Sequence, residues 1–336
     1  MQTRRDFLKQ MTAGSLLLAA KQPELRVQTV TGPIPASQMG LTLIHEHILV
    51  DFVGADKISP DRWKRPDVVT RMLPPLRELY QSGCRTLVEC TPAYLGKDPL
   101  LLRELSQKSG LHILTNTGYY GAVDNKFLPP HAFTETADQL ADRWTRDFET
   151  GVDGVQDVKP GFMKISVNPG PLSTLHRKLV TAAARTHRRT GLTIYSHTGP
   201  YVPAFEQIEV LRQEGVRPDA FVWVHAQGNS MVHYARAVRE GAWVSLDGLD
   251  GSNVEKYAEN LLLMKENGFL HRTLLSHDAG WYDPGKPNGG PVDRSYLVLF
   301  RQLMPMLNSR GFTEAELNQL LVQNPQQALA IRERLL

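Results

Sequence analysis

The feature that most constrains the fold is an alternation. Eight short, β-prone apolar runs punctuate the chain: LTLIHEH (41–47), RTLVECT (85–91), HILTNTG (112–118), FMKISV (162–167), LTIYSHT (192–198), AFVWVHA (220–226), AWVSLDG (242–248) and RTLLSHD (272–278). Amphipathic segments of helical period lie between them, and most end in glycine, a helix stop signal. Strict strand–helix alternation calls for a parallel sheet, because each crossover must carry the chain back to the same end. Eight units in about 300 residues suit a (β/α)8 TIM barrel. The competing fold, an open doubly wound sheet, usually places a glycine-rich phosphate loop after its first strand. Here that strand ends in His45-Glu46-His47. The expectation is a single-domain α/β chain, a (β/α)8 barrel, with a C-terminal helical extension (TEAELNQLLVQNPQQALAIRERLL) read as a helical pair interrupted at Pro325.

Composition excludes several classes. The 336 residues carry a formal charge of only +3, and the first twenty supply much of it through Arg4, Arg5 and Lys9 against Asp6. Nothing points to nucleic acid or to an anionic membrane surface. The opening TRRDFLKQMTAGSLLLAA resembles a twin-arginine export signal, and its apolar stretch is too short to span a bilayer. The expectation is a signal over residues 1–20, engagement of the twin-arginine export machinery, a periplasmic location and a (β/α)8 domain over 21–336. The only two cysteines, Cys84 and Cys90, lie in one strand about 20 Å apart, too far for a disulfide.

In a barrel the C-terminal ends of the strands form one ring, which is the catalytic face. The polar groups at those ends are His45 and His47 on the first run, Lys164 on the fourth, His197 on the fifth, His225 on the sixth and Asp278 on the eighth. Side chains at i and i+2 of a strand share a face, so His45 and His47 project together and Glu46 points away. Four histidines, a lysine and an aspartate converging from five strands form a metal-ligand set. By alternation His277 faces away from Asp278. His112, His131, His176, His187, His233 and His271 fall at strand starts, in loops or on helices, and are read as structural.

With those residues placed, the chain resembles the phosphotriesterase family of the amidohydrolase superfamily over nearly its whole mature length. The resemblance is carried by VQTVTGPIPASQMGLTLIHEH, the lysine of GFMKIS and the histidines of IYSHTG and VWVHAQ, together with the aspartate of LLSHDAG. It implies a binuclear centre of two divalent metal ions, usually described with zinc, with manganese or cobalt as alternatives. His45, His47 and Asp278 would hold the more buried ion, and His197 and His225 the exposed one. Lys164, carboxylated by carbon dioxide, would bridge them. An ammonium cannot ligate a cation, but burial disfavours the charged form of a lysine, and a neutral amine adds carbon dioxide to give a carbamate. Its two oxygens can span metals about 3.5–4 Å apart. The implied mechanism is attack by a metal-bridging hydroxide on a carbonyl or phosphoryl group, with Asp278 receiving the proton. The family also suggests a homodimer.

Which bond is cleaved is less sharply written. The expected substrate is a small-molecule ester, either a phosphotriester or a lactone. Tyr120 sits where lactonase members carry an active-site tyrosine, and packing at the barrel rim is an equal reading. Lactonases of the family typically carry an arginine after the Leu-Asp of strand seven, whereas this chain has Gly248. Trp281 and Tyr282 either form an apolar wall for the leaving group or pack the last loop. Two further classes remain: a hydrolase of other carboxylic esters or amides, and a non-catalytic periplasmic binding protein, which need not hold metal.

Overall fold

The computed structural model describes residues 24–291 and 295–336; the twin-arginine motif and apolar stretch of residues 1–20 lie outside the described residues. The chain enters through an antiparallel hairpin, β1 (Arg26–Thr29) and β2 (Gly32–Pro35). Gly32 holds φ 121° in its tight connection, a conformation L-residues rarely adopt. The barrel strands follow: β3 (Leu41–Glu46), β4 (Cys84–Glu89), β5 (His112–Leu114), β6 (Asn116–Thr117), β7 (Phe162–Ser166), β8 (Ile194–His197), β9 (Phe221–Val224), β10 (Trp243–Leu246) and β11 (Thr273–Leu275). β5 and β6 are two halves of one expected run, broken at Thr115, so eight runs appear as nine strands. All pair in parallel, in the orders β3-β4-β5 and β6-β7-β8-β9-β10-β11.

The barrel closes between the end of β11 and β3. His45 N donates to Ser276 Oγ (3.0 Å), Asp278 N to His45 O (3.0 Å) and His47 N to Ala279 O (2.8 Å). Alternation fixes the two faces. On β9, Val222 and Val224 join Val88, Leu114, Phe162, Tyr195 and Leu274 inside the barrel, while Phe221 and Trp223 pack with the residues of the surrounding helices. The expected helices are present, and their ends follow the sequence signals. Ser173 Oγ caps the helix Thr174–Thr190 by accepting from His176 N (3.1 Å), and Gly191 ends it at φ 73°.

Two expectations change at the C-terminal end. Pro325 does not interrupt a helical pair. One helical run covers Glu314–Leu329, widened to a π turn over Gln319–Gln323 just before Pro325. The same device precedes Pro305, where Leu299–Leu303 is π-helical. A proline lacks the donor and clashes with the preceding turn, and a wider turn accommodates both. Beyond the helix, the tail crosses the barrel floor. Val216 and Leu335 form an antiparallel bridge, and the buried Arg334 guanidinium donates to the carbonyls of Gln327, Ala328 and Ala330 (3.0–3.1 Å). His187 accepts from Arg334 N (2.9 Å) and donates through Nδ1 to Leu192 O (2.8 Å), which bears out its structural reading.

The loop after β6 is unusual. Val123, Asp124 and Asn125 hold φ 55°, 51° and 64° in succession, three left-handed residues without a glycine. Left-handed backbone costs roughly 1–2 kcal/mol per ordinary residue, somewhat less for Asp and Asn, so tertiary contacts must hold this turn.

Candidate metal centre

At the C-terminal mouth of the barrel, His45, His47, Lys164, His197, His225 and Asp278 line one pocket. The structure brings together all six residues expected there. Three of them come from the closing seam. His47 Nε2 lies 3.0 Å and His45 Nε2 3.7 Å from Asp278 Oδ1. A tetrahedral ion with bonds of about 2.0–2.1 Å sets its ligands roughly 3.4 Å apart, which these separations bracket. On the other side, His197 Nδ1 faces His225 Nε2 at 2.8 Å, and Lys164 Nζ faces His45 Nε2 at 3.1 Å. Ring nitrogens converging at such distances offer the lone pairs that a cation would take. The donor set therefore fits a metal centre.

Two of these candidate ligands and a neighbour are held in costly backbone conformations. His225 and Asp278 sit at φ 62° and 57°, and Trp281 at 67°. Strain of this kind persists where the surroundings over-determine it. Around Asp278 the agent is Glu46, fully buried, whose carboxylate accepts from Ser276 Oγ (2.7 Å), His277 N (3.0 Å), His277 Nδ1 (2.8 Å) and Ala279 N (2.8 Å). Thus Glu46 does point away from the pocket, as alternation required, and His277 turns to meet it. The pairing of β3 with β4 also shifts register between Leu43 and Glu46, an irregularity that re-aims the side chains beside it.

One functional residue escaped the sequence reading. Asp247, fully buried after β10, accepts from His45 Nδ1 on Oδ2 (2.9 Å) and from His225 Nδ1 on Oδ1 (2.8 Å). Ser245 Oγ (2.7 Å) and His225 N (3.0 Å) complete its shell. His45, His225 and Asp247 are close enough to form a ligand group of their own. Asp247, however, takes the Nδ1 protons, which fixes both tautomers with Nε2 turned to the pocket; it orients ligands. It could have been found by the rule that found Lys164: a lone charged residue at the C-terminal end of a barrel run. His47 is oriented by a longer chain. Its Nδ1–H donates to Thr91 Oγ1 (2.8 Å), which donates to Glu89 Oε1 (2.5 Å).

The electrostatics suit ligation. Burial, reinforced by the nearby Lys164, pulls the His45 pKa down to about 4, and burial together with His225 pushes His197 well below the usual imidazole range. Both rings are neutral at pH 7. His225 moves the other way: burial opposes its charge, but the Asp247 carboxylate outweighs it and raises the pKa. Asp278 is held below the ordinary carboxylate range; burial works against this, and the surrounding imidazoles, His47 foremost, override it.

The three expected substrate residues divide. Tyr120 reaches the site, its hydroxyl 3.1 Å from His197 Nδ1. Trp281 lines the pocket beside Phe52, with ring centroids 5.6 Å apart. Tyr282 does not line it. Its backbone pairs with Ile48 O and Val50 N, and its buried ring packs against Gly289, where an added Cβ would lie 2.3 Å from the ring. The left-handed Trp281 turns inward and sends its neighbour outward. Val50, Leu95 and Cys90 complete the apolar lining, and Phe127 packs with Val50 and Leu95. Beside Gly248 lies the end of the Gln227 side chain, 2.5 Å from where a Cβ would stand, so a larger residue there requires that side chain to move.

Comparison with known proteins follows this geometry. The model of the phosphotriesterase family matches residues 25–329. The chain belongs to the phosphotriesterase family. Membership makes it a metal-dependent hydrolase built on a TIM barrel. Among its relatives, a phosphotriesterase homology protein of Escherichia coli K12 is 28% identical over 86% of this chain and 97% of its own length. An aryldialkylphosphatase of Saccharolobus solfataricus is 26% identical, covering 87% and 95%. A phospho-furanose lactonase of Mycoplasmopsis synoviae is 26% identical, covering 91% and 92%. Among the described residues, no helix is long and apolar enough to cross a membrane.

Proposed function

We propose that the chain is a binuclear metal-dependent hydrolase that cleaves a small-molecule ester, either a lactone or a phosphotriester. The observation that carries this reading is the convergence of His45 Nε2, His47 Nε2 and Asp278 Oδ1 beside Lys164, His197 and His225 in one apolar-walled pocket. His45, His47 and Asp278 would hold one ion, and His197 and His225 the other. Lys164, as its carbamate, would supply the two oxygens shared between them. When bound, two divalent ions, zinc in the first place and manganese or cobalt as alternatives, supply a water ionised near neutral pH and a Lewis acid for the substrate oxygen. Asp278, whose carboxylate is ionised at neutral pH, receives the proton of the attacking water. Tyr120 stands at the edge of the site with a hydroxyl to offer the substrate, and Phe52 and Trp281 exclude water from the uncharged part of it.

The test is kcat/KM on purified, metal-loaded protein with an aryl dialkyl phosphate and with a medium-chain lactone, each against a metal-stripped control. Metal-dependent turnover of either substrate supports the reading, and the ratio assigns the preference. Failure on both with two metals bound would move the reading to other carboxylic esters or amides. Failure with no metal bound would favour a binding protein.

Two further proposals concern the whole chain. Residues 1–20 act as a twin-arginine signal and direct the protein to the periplasm; Arg4→Lys with Arg5→Lys should retain it in the cytoplasm on fractionation. The protein is a homodimer, to be checked by light scattering.

A further inference from the structure

The strap of chain that carries Tyr120 is held by groups that take no part in the metal centre, and the central one is a histidine. His176 lies in the first turn of the helix Thr174–Thr190 and is 2% exposed. Its Nε2 faces both Gly121 O (2.9 Å) and Asn125 Oδ1 (3.0 Å) and donates to them, while its Nδ1 accepts from Asn168 N at 3.5 Å. Asn168 in turn exchanges two hydrogen bonds with Asp124, through its backbone N–H and its carboxylate, both at 3.2 Å. These contacts grip the strap on both sides of its left-handed turn. Gly121 rests so closely on this support that an added Cβ would lie 2.8 Å from Ser166 O and 3.2 Å from the His176 ring. At the far end, Lys126 Nζ donates to Phe52 O (2.6 Å), and Ala55 N donates to Lys126 O (3.1 Å), so the strap bridges across to the loop that carries Phe52. Tyr120 directly precedes Gly121, and its ring lies 5.0 Å from His197 and 5.8 Å from Phe127.

We propose that His176 is a positioning residue for the hydrolysis: by clasping Gly121 and Asn125 it holds Tyr120 in place over His197. The proposal rests on the hydrolase reading above for its catalytic consequence. The physical argument is one of donors. Three successive left-handed residues do not hold their turn unaided. Gly121 O and Asn125 Oδ1 meet the same N–H, so its removal frees both ends of the turn at once. A glutamine at this position can return an amide N–H to the place of Nε2; a leucine fills the space without a donor.

The experiment is a double-mutant cycle on the metal-loaded protein, using His176→Leu, Tyr120→Phe and the pair, with His176→Gln as the rescue and hydrogen exchange of residues 119–128 as a readout independent of activity. Expected is a loss of about tenfold in kcat/KM for His176→Leu, shrinking below about twofold when Tyr120 is already phenylalanine, because both changes remove one interaction. Metal content should stay at the parent value, exchange in 119–128 should quicken, and His176→Gln should recover most of both. An equal loss in the two Tyr120 backgrounds, a fall in metal content, or unchanged exchange would overturn the proposal. If the parent protein hydrolyses nothing, the hydrolase reading fails by itself. Exchange then decides whether His176 holds the strap: quickened exchange upholds the clasp and unchanged exchange refutes it.

Discussion

Asp247→Asn is the most informative single change in the site. The native carboxylate offers two acceptor oxygens, one to the Nδ1–H of His45 and the other to that of His225. Asparagine has one acceptor and one donor. Oδ1 of Asp247 also accepts from His225 N, a backbone donor that cannot change tautomer. The amide oxygen should therefore stay with His225, leaving the amide N–H₂ against His45 Nδ1. Two donors facing each other cannot persist, so His45 would flip to the tautomer protonated on Nε2 and lose its ligating lone pair. Partners that orient metal-binding histidines are worth about 10–100-fold in metal affinity, or roughly 1.4–2.7 kcal/mol. The loss should fall on the ion held by His45, His47 and Asp278. Competition against a chelator of known affinity, followed by metal analysis, separates the two ions. The expected result is weakening of one by about 10–100-fold with the other changed far less. Equal affinity for both ions in Asp247→Asn and the parent would refute the orienting role. Loss of both ions in step would refute the assignment of the flip to His45.

Other changes test neighbouring parts. Alanine at His45 together with His47 should abolish both metal content and turnover; two-metal occupancy in that variant would sink the ligand assignment. Burial pulls His187 down to about 4, so the unfolded chain binds its proton first as pH falls. Stability should then fall between about pH 6.5 and 4, by at most about 3 kcal/mol from this residue, and level off below. Urea titrations of the parent and His187→Gln at pH 7 and 4.5 measure it, and an equal pH dependence in both would exclude the effect. Arg334→Met should cost about 2–4 kcal/mol, because several buried carbonyls lose their donor; the urea midpoint should drop with the slope unchanged.

The barrel and its candidate ligands were legible because both depend on period. Runs of apolar residues fixed which positions formed strands, and one rule about strand ends located His45, His47, Lys164, His197, His225 and Asp278. Asp247 obeyed the same rule but was overlooked beside Gly248. Other features left no periodic trace. The left-handed turn at Val123–Asn125 includes a β-branched residue that disfavours it, and contacts from distant residues such as His176 and Asn168 add to its local hydrogen bonds in holding it. Trp281 and Tyr282 look equivalent in sequence. The backbone torsion of Trp281 separates them, and that torsion is imposed by the loop. Likewise Pro325 reads as a helix breaker until the π turn before it makes room.

The seam between β3 and β11 gives the proposed ions a place in the order of folding. His47 and Asp278 stand some 230 residues apart in the chain yet 3.0 Å apart in space. Of all the contacts in a barrel, those joining first and last strands span the longest loop and are among the costliest in chain entropy to bring together. The ion assigned to His45, His47 and Asp278 would therefore have no complete site in any intermediate in which β11 has not docked. Uptake of that ion becomes a clock for closure. Without it, Glu46 and a few backbone hydrogen bonds hold the seam; once bound, the ion would cross-link the two ends of the sheet and slow their parting. A permuted chain joined across this seam and opened elsewhere would trade that long closure for a short one, and it should acquire the ion sooner in refolding.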